Sequence, residues 1–250
     1  MISSFGTAWA GLGFKTLDAV ALVVFFASWI MHYWMVNHSP WQHKTISAQM
    51  SIFRHRWMHT MVYRNPKMPD TLIQNTLQHG VLFFASTSIL LIGALIAGLG
   101  ASDQAIQLLR DMPYTVRTTR AVWEIKVLLV VFIFTFAFFK FAWSYRLFNY
   151  VLIMIGAAPD ASADSIEGEE TQIDREDYAR RVGQLHTLGA RHFTTGLNSY
   201  FFSLAACAWF LSPTLFIAAT IWVSLVLYRR AFRSTFGRIL SGLEGLDPKS

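Results

Sequence analysis

Residues 192 to 230 constrain this chain more than any other stretch, because they hold two near-membrane-length apolar runs joined at Ser212-Pro213. Read as one helix, they leave basic residues on both sides of a bilayer. Read as two helices folded back at Ser212-Pro213, they gather nearly every Lys and Arg on one side. Pro213 suits the folded-back reading, because the first turn of a helix tolerates a residue without an N–H. The chain is 54% hydrophobic and 14% charged, and its apolar runs approach or exceed the ~20 residues that cross a hydrocarbon core. The expectation is an all-α polytopic membrane protein with five transmembrane helices.

The spans are expected at about 17–36, 80–99, 122–146, 192–211 and 214–228. Asp70 is a plausible cap for a longer helix that begins before the second span. The third span is rich in phenylalanine (Phe132, Phe134, Phe136, Phe138, Phe139, Phe141), and its helix is expected to continue past Arg146 towards Ile155. No Lys or Arg precedes Lys15 and no clear cleavage site follows the first apolar stretch, which therefore reads as an uncleaved span.

Counting charges orients the threading. With five spans and the N-terminus outside, fifteen Lys and Arg fall on inner segments, from Lys44 and Arg54 to Arg238 and Lys249. Four fall outside: Lys15, Arg110, Arg117 and Arg120. Four spans would divide them almost evenly. The positive-inside rule therefore selects N-out, C-in. The acids between Asp160 and Asp177 do not change this, because Asp and Glu weigh little in that rule.

The loops differ in character. In the first, Ile46, Met50, Phe53, Trp57 and Met61 recur at helical spacing, with Arg54, His55 and His59 off that face. This predicts an inner amphipathic helix lying on the leaflet. Asn65-Pro66 and Pro69-Asp70 end it and restart the chain. A mobile acidic inner loop is expected at about 157–177, with helix returning between Asp177 and Arg191. The outer loop 101–121 has room for a turn or two of helix. The whole reads as a single integral membrane domain over 1–250.

Several function classes are excluded or left without support. No Lys/Arg block suggests a nucleic-acid arm, despite the net charge of +6. The single cysteine, Cys207, rules out an intrachain disulfide, a CxxC redox pair and a Cys-rich metal site. Gly11-Leu12-Gly13 is too short for a nucleotide loop, and no Ser/His/Asp arrangement can be assembled, so an enzyme is not expected.

Three stretches carry a family resemblance. They are Trp57 onward to Phe83-Phe84-Ala85-Ser86-Thr87-Ser88-Ile89-Leu90-Leu91-Ile92-Gly93, Lys126 through the Phe-rich span to Tyr145-Arg146-Leu147-Phe148-Asn149, and Gly196-Leu197-Asn198-Ser199-Tyr200-Phe201-Phe202 with Trp209 and Ser212-Pro213. Together they resemble the DUF599 family of uncharacterised integral membrane proteins, over most of residues 30 to 230. The resemblance implies a membrane protein and supplies no activity. The chain departs from the family's pattern at Asn75 and Asn198, where arginine is expected, and in a longer acidic insert.

Two polar groups are candidate sites. The outer charged cluster is Asp18, Glu124 and Lys126. Ionisable groups at membrane depth are costly and commonly face a cavity or a partner. Glu124 and Lys126 point in different directions on a helix, so Lys126 is expected to reach Asp18 instead. The functional reading is an ion or solute pathway, and the structural one is an interfacial ion pair with snorkelling.

The polar inner cluster is His32, Tyr33, Asn75, His79, Lys140, Arg146, Asn149, His192 and Asn198, with Gln78 and Tyr200 nearby. In the N-out threading all eight histidines lie on the inner side or at its boundary. Imidazoles from separate helix ends are the ligand type of haem and transition metals, but the spacing forms no motif. His55 and His59 are four apart yet lack the glutamate of a zinc-protease helix. No metal site is assigned, any cofactor is unknown, and a structural hydrogen-bond network or a polar, anion-binding vestibule are the alternatives.

Small residues in the second span, Gly93 with Ala97 and Ala94 with Gly98, suit close helix approach, within the chain or in a homo-oligomer. Three functions stay open: an oligomeric channel or transporter for an ion or small solute, a structural or accessory subunit of a larger membrane complex, and a haem-binding redox protein. The expected partners are the lipid bilayer and either further copies of the chain or other subunits. The expected location is a bacterial inner membrane.

Overall fold

A computed structural model describes residues 14–37, 45–110, 119–159 and 169–232. The element order is α1 (Thr16–Asn37), α2 (Ile46–Val62), α3 (Met68–Gly100), α4 (Ser102–Arg110), α5 (Arg120–Gly156), α6 (Glu169–Cys207), a 3-10 turn (Ala208–Phe210) and α7 (Pro213–Phe232). No strand occurs among the described residues. Helices α1, α3, α5 and α7 are each long and apolar enough to cross a membrane. The chain is an all-helical, multi-pass membrane protein.

Helix α3 starts at Met68, well before the apolar run, as the expected longer helix near Asp70 requires. Two features depart from the sequence expectation. Helix α6 starts at Glu169, so residues 169–177 of the expected acidic loop are helical, while 160–168 lie outside the described residues. The expected fourth span is the C-terminal part of α6, and this helix is not among the four that meet the span criteria. Its first half carries Glu, Asp and Arg, and its second half is interrupted by Thr, Asn and Ser.

The helix ends follow local chemistry. Thr45 caps α2 by accepting the Ala48 N–H at 3.3 Å. Thr119 does the same for α5, accepting from Val122 at 3.4 Å. At the expected Ser212-Pro213 corner, α7 begins at Pro213 and the Ser212 hydroxyl accepts the Leu215 N–H at 3.1 Å. Trp209 and Phe216 stack across this corner, centroids 5.3 Å apart. At the start of α1, one Asp18 oxygen accepts the Lys15 N–H at 3.1 Å, the reach-back half of a capping box.

The residues group into two compact units. Unit 1 comprises 1–39, 87–138 and 197–230, and unit 2 comprises 40–86, 139–196 and 231–250. Helices α3, α5 and α6 contribute residues to both, and α7 ends with Ala231 and Phe232 in unit 2.

Unit 1 has an aromatic core. Phe25 of α1 meets Phe202 of α6 and Phe216 of α7, with centroids 5.8 and 5.1 Å away, and Trp29 stacks on Phe202. Ile133 and Phe134 of α5 and Ala206 and Trp209 complete it. Aromatic side chains bury large areas and interlock edge to face, which suits a bundle with little room for chain entropy.

Unit 2 has an aliphatic core of Met58, Met61, Val62, Val151, Ile155, Ala179 and Val182. The most deeply buried side chains of α2 thus pack against α5 and α6. The expected leaflet-facing stripe survives only in part: Met61 is buried, Ile46, Met50, Phe53 and Trp57 are half-buried, and Met58 and Val62 join the core instead.

Glycines on α6 let its neighbours approach. A Cβ at Gly183 would meet the His55 ring at 2.9 Å, one at Gly189 the Phe148 ring at 2.7 Å, and one at Gly196 the Phe141 ring at 2.5 Å. The third-span phenylalanines divide by helix face: Phe134 and Phe141 are buried, while Phe132 and Phe139 are exposed.

Candidate functional site

In unit 1 the outer cluster resolves around Trp209. The Trp209 indole N–H donates to Asp18 Oδ1 at 2.8 Å, while Asp18 Oδ2 serves the Lys15 amide. Lys126 Nζ sits 5.5 Å from the Trp209 ring centroid and within electrostatic reach of Asp18. Asp18 is 5% exposed and Lys126 3%. An indole therefore stands with its N–H towards a carboxylate and its ring beneath an ammonium, which gives both charges a partner in a low-dielectric setting. Glu124 takes no part. It accepts from exposed Arg120 at 2.9 Å, and Arg120 also reaches Asp103 at 3.4 Å.

Unit 1 also holds two members of the inner cluster in contact. The Asn198 amide donates to His32 Nε2 at 3.2 Å, which requires that nitrogen to carry its lone pair. Phe202 packs beside the His32 ring, 6.0 Å between centroids. Asn198, where the family pattern led to arginine, thus has a defined partner. Tyr33 is exposed, and its carbonyl accepts from Asn37. Tyr200 hydrogen-bonds Ser88 at 2.8 Å.

The remaining inner residues lie in unit 2, and most do not line anything. Asn75, His79, Arg146 and Asn149 are exposed. Arg146 donates to the Tyr150 hydroxyl one turn on, at 2.7 Å. His192 is half-buried, packs edge-on to Trp143 and lies within electrostatic reach of Lys140.

The buried polar groups of unit 2 are different ones. On α3 the buried positions are Gln74 and Gln78, one residue before Asn75 and His79. Gln74 donates to the Phe148 carbonyl at 3.1 Å, and the Ser144 hydroxyl donates to the Gly189 carbonyl at 2.8 Å. Asp70 is fully buried, and its Oδ1 accepts both the Trp57 indole at 2.7 Å and Arg64 at 2.6 Å. Asp70 therefore ties α2 to α3 rather than serving as a simple cap.

His186 lies between Trp57 and Phe148, with centroids 5.3 and 5.0 Å away, and is 2% exposed. Burial first, then the charges of Arg54 and His55, push its pKa down to about 3. A sequence signal for His186 did exist: it falls on the stripe Ala179, Val182, His186, Gly189, Phe193 of an otherwise polar helix.

Among the described residues no group of three or more His, Cys, Asp or Glu is gathered to hold a metal ion. His38 and His43, also counted among the inner histidines, lie outside the described residues. His32 is engaged by Asn198 and Phe202, and His186 is wedged between two aromatic rings.

No curated protein and no solved structure matches the chain. The family model described as "Protein of unknown function, DUF599" matches residues 20–236, and the chain belongs to that family.

Proposed function

We propose that this protein is an oligomeric channel or transporter for an ion or small solute, threaded five times through an inner membrane with its N-terminus outside and its C-terminus inside. The observation that carries the reading is the Asp18, Trp209 and Lys126 set. A carboxylate and an ammonium buried among candidate membrane spans are expensive to keep, and such groups commonly mark a solute or proton pathway. Residues 192–207 with the following 3-10 turn reach about 30 Å, enough for a fifth crossing. Their buried Ser199, Phe202, Ser203 and Ala206 support a span enclosed by other helices, where polar residues are tolerated.

The test is flux of ions and small solutes through proteoliposomes holding the purified chain. The reading expects flux that Asp18→Asn and Lys126→Gln each abolish while the folded protein is retained. Flux that is absent, or indifferent to both changes, contradicts it.

One observation suits the accessory-subunit reading as well as a homo-oligomer. Gly93, Ala94, Ala97 and Gly98 are exposed on α3, and a Cβ added at Gly93 or Gly98 meets nothing within 4 Å. A small-residue face left open within the chain suits a helix from another one. Stoichiometric copurification with another protein, lost on Gly93→Leu, would support that alternative.

A further inference from the structure

We propose that the exposed face of α5 in unit 2, made by Phe139, Trp143, Arg146 and Tyr150, binds an anionic phospholipid, with the Arg146 guanidinium on the headgroup phosphate. Helix α5 is too long to lie wholly within a bilayer. Its 37 residues reach about 55 Å against a hydrocarbon core of ~30 Å, so it leaves the membrane before it ends. The side chains exposed along its unit 2 part mark where. Phe139, Trp143, Arg146 and Tyr150 are all exposed and recur at i, i+4, i+7 and i+11, which places them on one helix face. Lys140 is half-buried, so Arg146 is the first charge that this part of α5 presents outward. An apolar ring, then an indole, then a cation with a phenol is the order a helix shows as it passes from acyl chains to headgroups. Trp and Tyr favour that zone, and Arg extends its charge towards water.

The guanidinium is held in place and still has donors to give. Its Nε donates to the Tyr150 hydroxyl at 2.7 Å, and its carbon lies 5.8 Å from the Tyr150 ring centroid. Among the described residues no carboxylate pairs with Arg146, and its two terminal nitrogens make no hydrogen bond. Elsewhere the chain does pair arginines with acids: Arg64 with Asp70, Arg120 with Glu124, and Arg180 and Arg181 with Asp177. Asn149, exposed three residues further along α5, adds an amide beside the same side chain.

A fixed guanidinium with two free terminal nitrogens and no acid beside it is complementary to a phosphate, which accepts N–H bonds from such a fork. The negative surface of a bilayer adds long-range attraction. A free phosphate would meet the same guanidinium but gain nothing from the exposed Phe139 and Trp143, which suit the acyl chains and glycerol of a lipid. The face therefore fits a phospholipid rather than a soluble anion. The site requires only that α5 crosses the membrane, and it is independent of the Asp18 set and of any transport reading.

The experiment uses the full chain in neutral detergent, exposed to phosphatidylglycerol or phosphatidylcholine and read by native mass spectrometry. Wild type should retain phosphatidylglycerol in preference to phosphatidylcholine. Arg146→Gln should lower that retention about fivefold or more. Tyr150→Phe, which releases the guanidinium but keeps the ring, should lower it less. Arg180→Gln, at an exposed arginine already paired with Asp177, should leave it unchanged. Equal retention of the two lipids, unchanged retention in Arg146→Gln, or an equal loss in Arg180→Gln overturns the proposal. So does loss of a bound protein chain rather than of lipid in Arg146→Gln, which would make this face a protein interface. Should Arg146→Gln not fold, Arg146→Lys keeps the charge and removes the fork, and it should show the same loss in smaller degree. Full retention there also overturns the proposal.

Discussion

Units 1 and 2 bury polar side chains in opposite ways. In unit 1 the polar groups form two clamps between α1 and the α6 end: Asp18 with Trp209, and His32 with Asn198. They stand roughly 21 Å apart along α1, and the Phe25, Trp29 and Phe202 rings fill the interval. Both Asp18 oxygens are engaged. In unit 2 polar groups are spread through the core and only partly met: Asp70 uses one oxygen, Gln74 only its amide, and His186 neither nitrogen. Unit 1 resembles a bundle locked by aromatic packing, with its buried carboxylate and ammonium, Asp18 and Lys126, at one end. Unit 2 is held by glycine-lined close approach and by side chains that bond to backbone carbonyls, and it keeps unspent hydrogen-bonding capacity. The difference separates a core whose buried carboxylate is fully engaged from one whose buried carboxylate, amide and imidazole are only partly met, although Trp123 Nε1 and Ser224 Oγ of unit 1 also lack a partner.

The largest expected effect breaks the unit 1 clamp. Asp18→Ala strands the Trp209 indole and removes the counter-charge of Lys126, so it should destabilise the protein by about 3–5 kcal/mol. Reversible unfolding in mixed micelles, followed by tryptophan fluorescence, measures it. A loss below about 1 kcal/mol would mean that the set is solvated and the contrast between the units is false.

Next come the glycines. Gly196→Ala drives a methyl into the fully buried Phe141 ring and should destabilise by about 1–3 kcal/mol. Gly93→Ala meets open space and should be neutral or stabilising by up to about 1 kcal/mol. The paired measurement sharpens the comparison, because equal effects would show that α6 is not the closely packed helix. Ser144→Ala removes the bond to the Gly189 carbonyl inside unit 2 and should cost about 1 kcal/mol in the same assay.

A pH dependence is expected as well. His186 has a folded pKa of about 3 against an ordinary value of 6.5. The unfolded chain therefore binds the proton first, and stability falls as pH drops below 6.5, reaching its floor near 3. Arg54 and His55 face this ring and act in the same direction. His186→Gln should flatten that part of the profile, and an unchanged slope would assign the dependence to other groups.

Four of the five expected spans coincide with helices long and apolar enough to cross a membrane, because long apolar runs report themselves without regard to facing. Facing was harder to read, for the same reason. In a helix apolar on all sides the inward stripe leaves little trace, so Asn75 and His79 looked like site residues while Gln74 and Gln78, one position earlier, are the buried ones. The corner at Ser212-Pro213 was readable from turn chemistry. The reach of α6 back to Glu169 was not, since its polar N-terminal half has the composition of a loop. Lys126 and Asp18 were paired by depth alone, but the Trp209 indole between them comes from a distant part of the chain, and no local pattern signals such a contact. His186 was passed over because a lone histidine in a polar helix ordinarily faces water.

Cysteine accessibility at the two ends of α7 tests the threading most directly. In a Cys207→Ser background, Ser212→Cys and Ser250→Cys are exposed in turn to a membrane-impermeant maleimide on intact cells. The five-span account predicts labelling of the Ser212→Cys protein from outside, and of the Ser250→Cys protein only after permeabilisation. Labelling of both from the same side, or of the C-terminal site alone on intact cells, contradicts it.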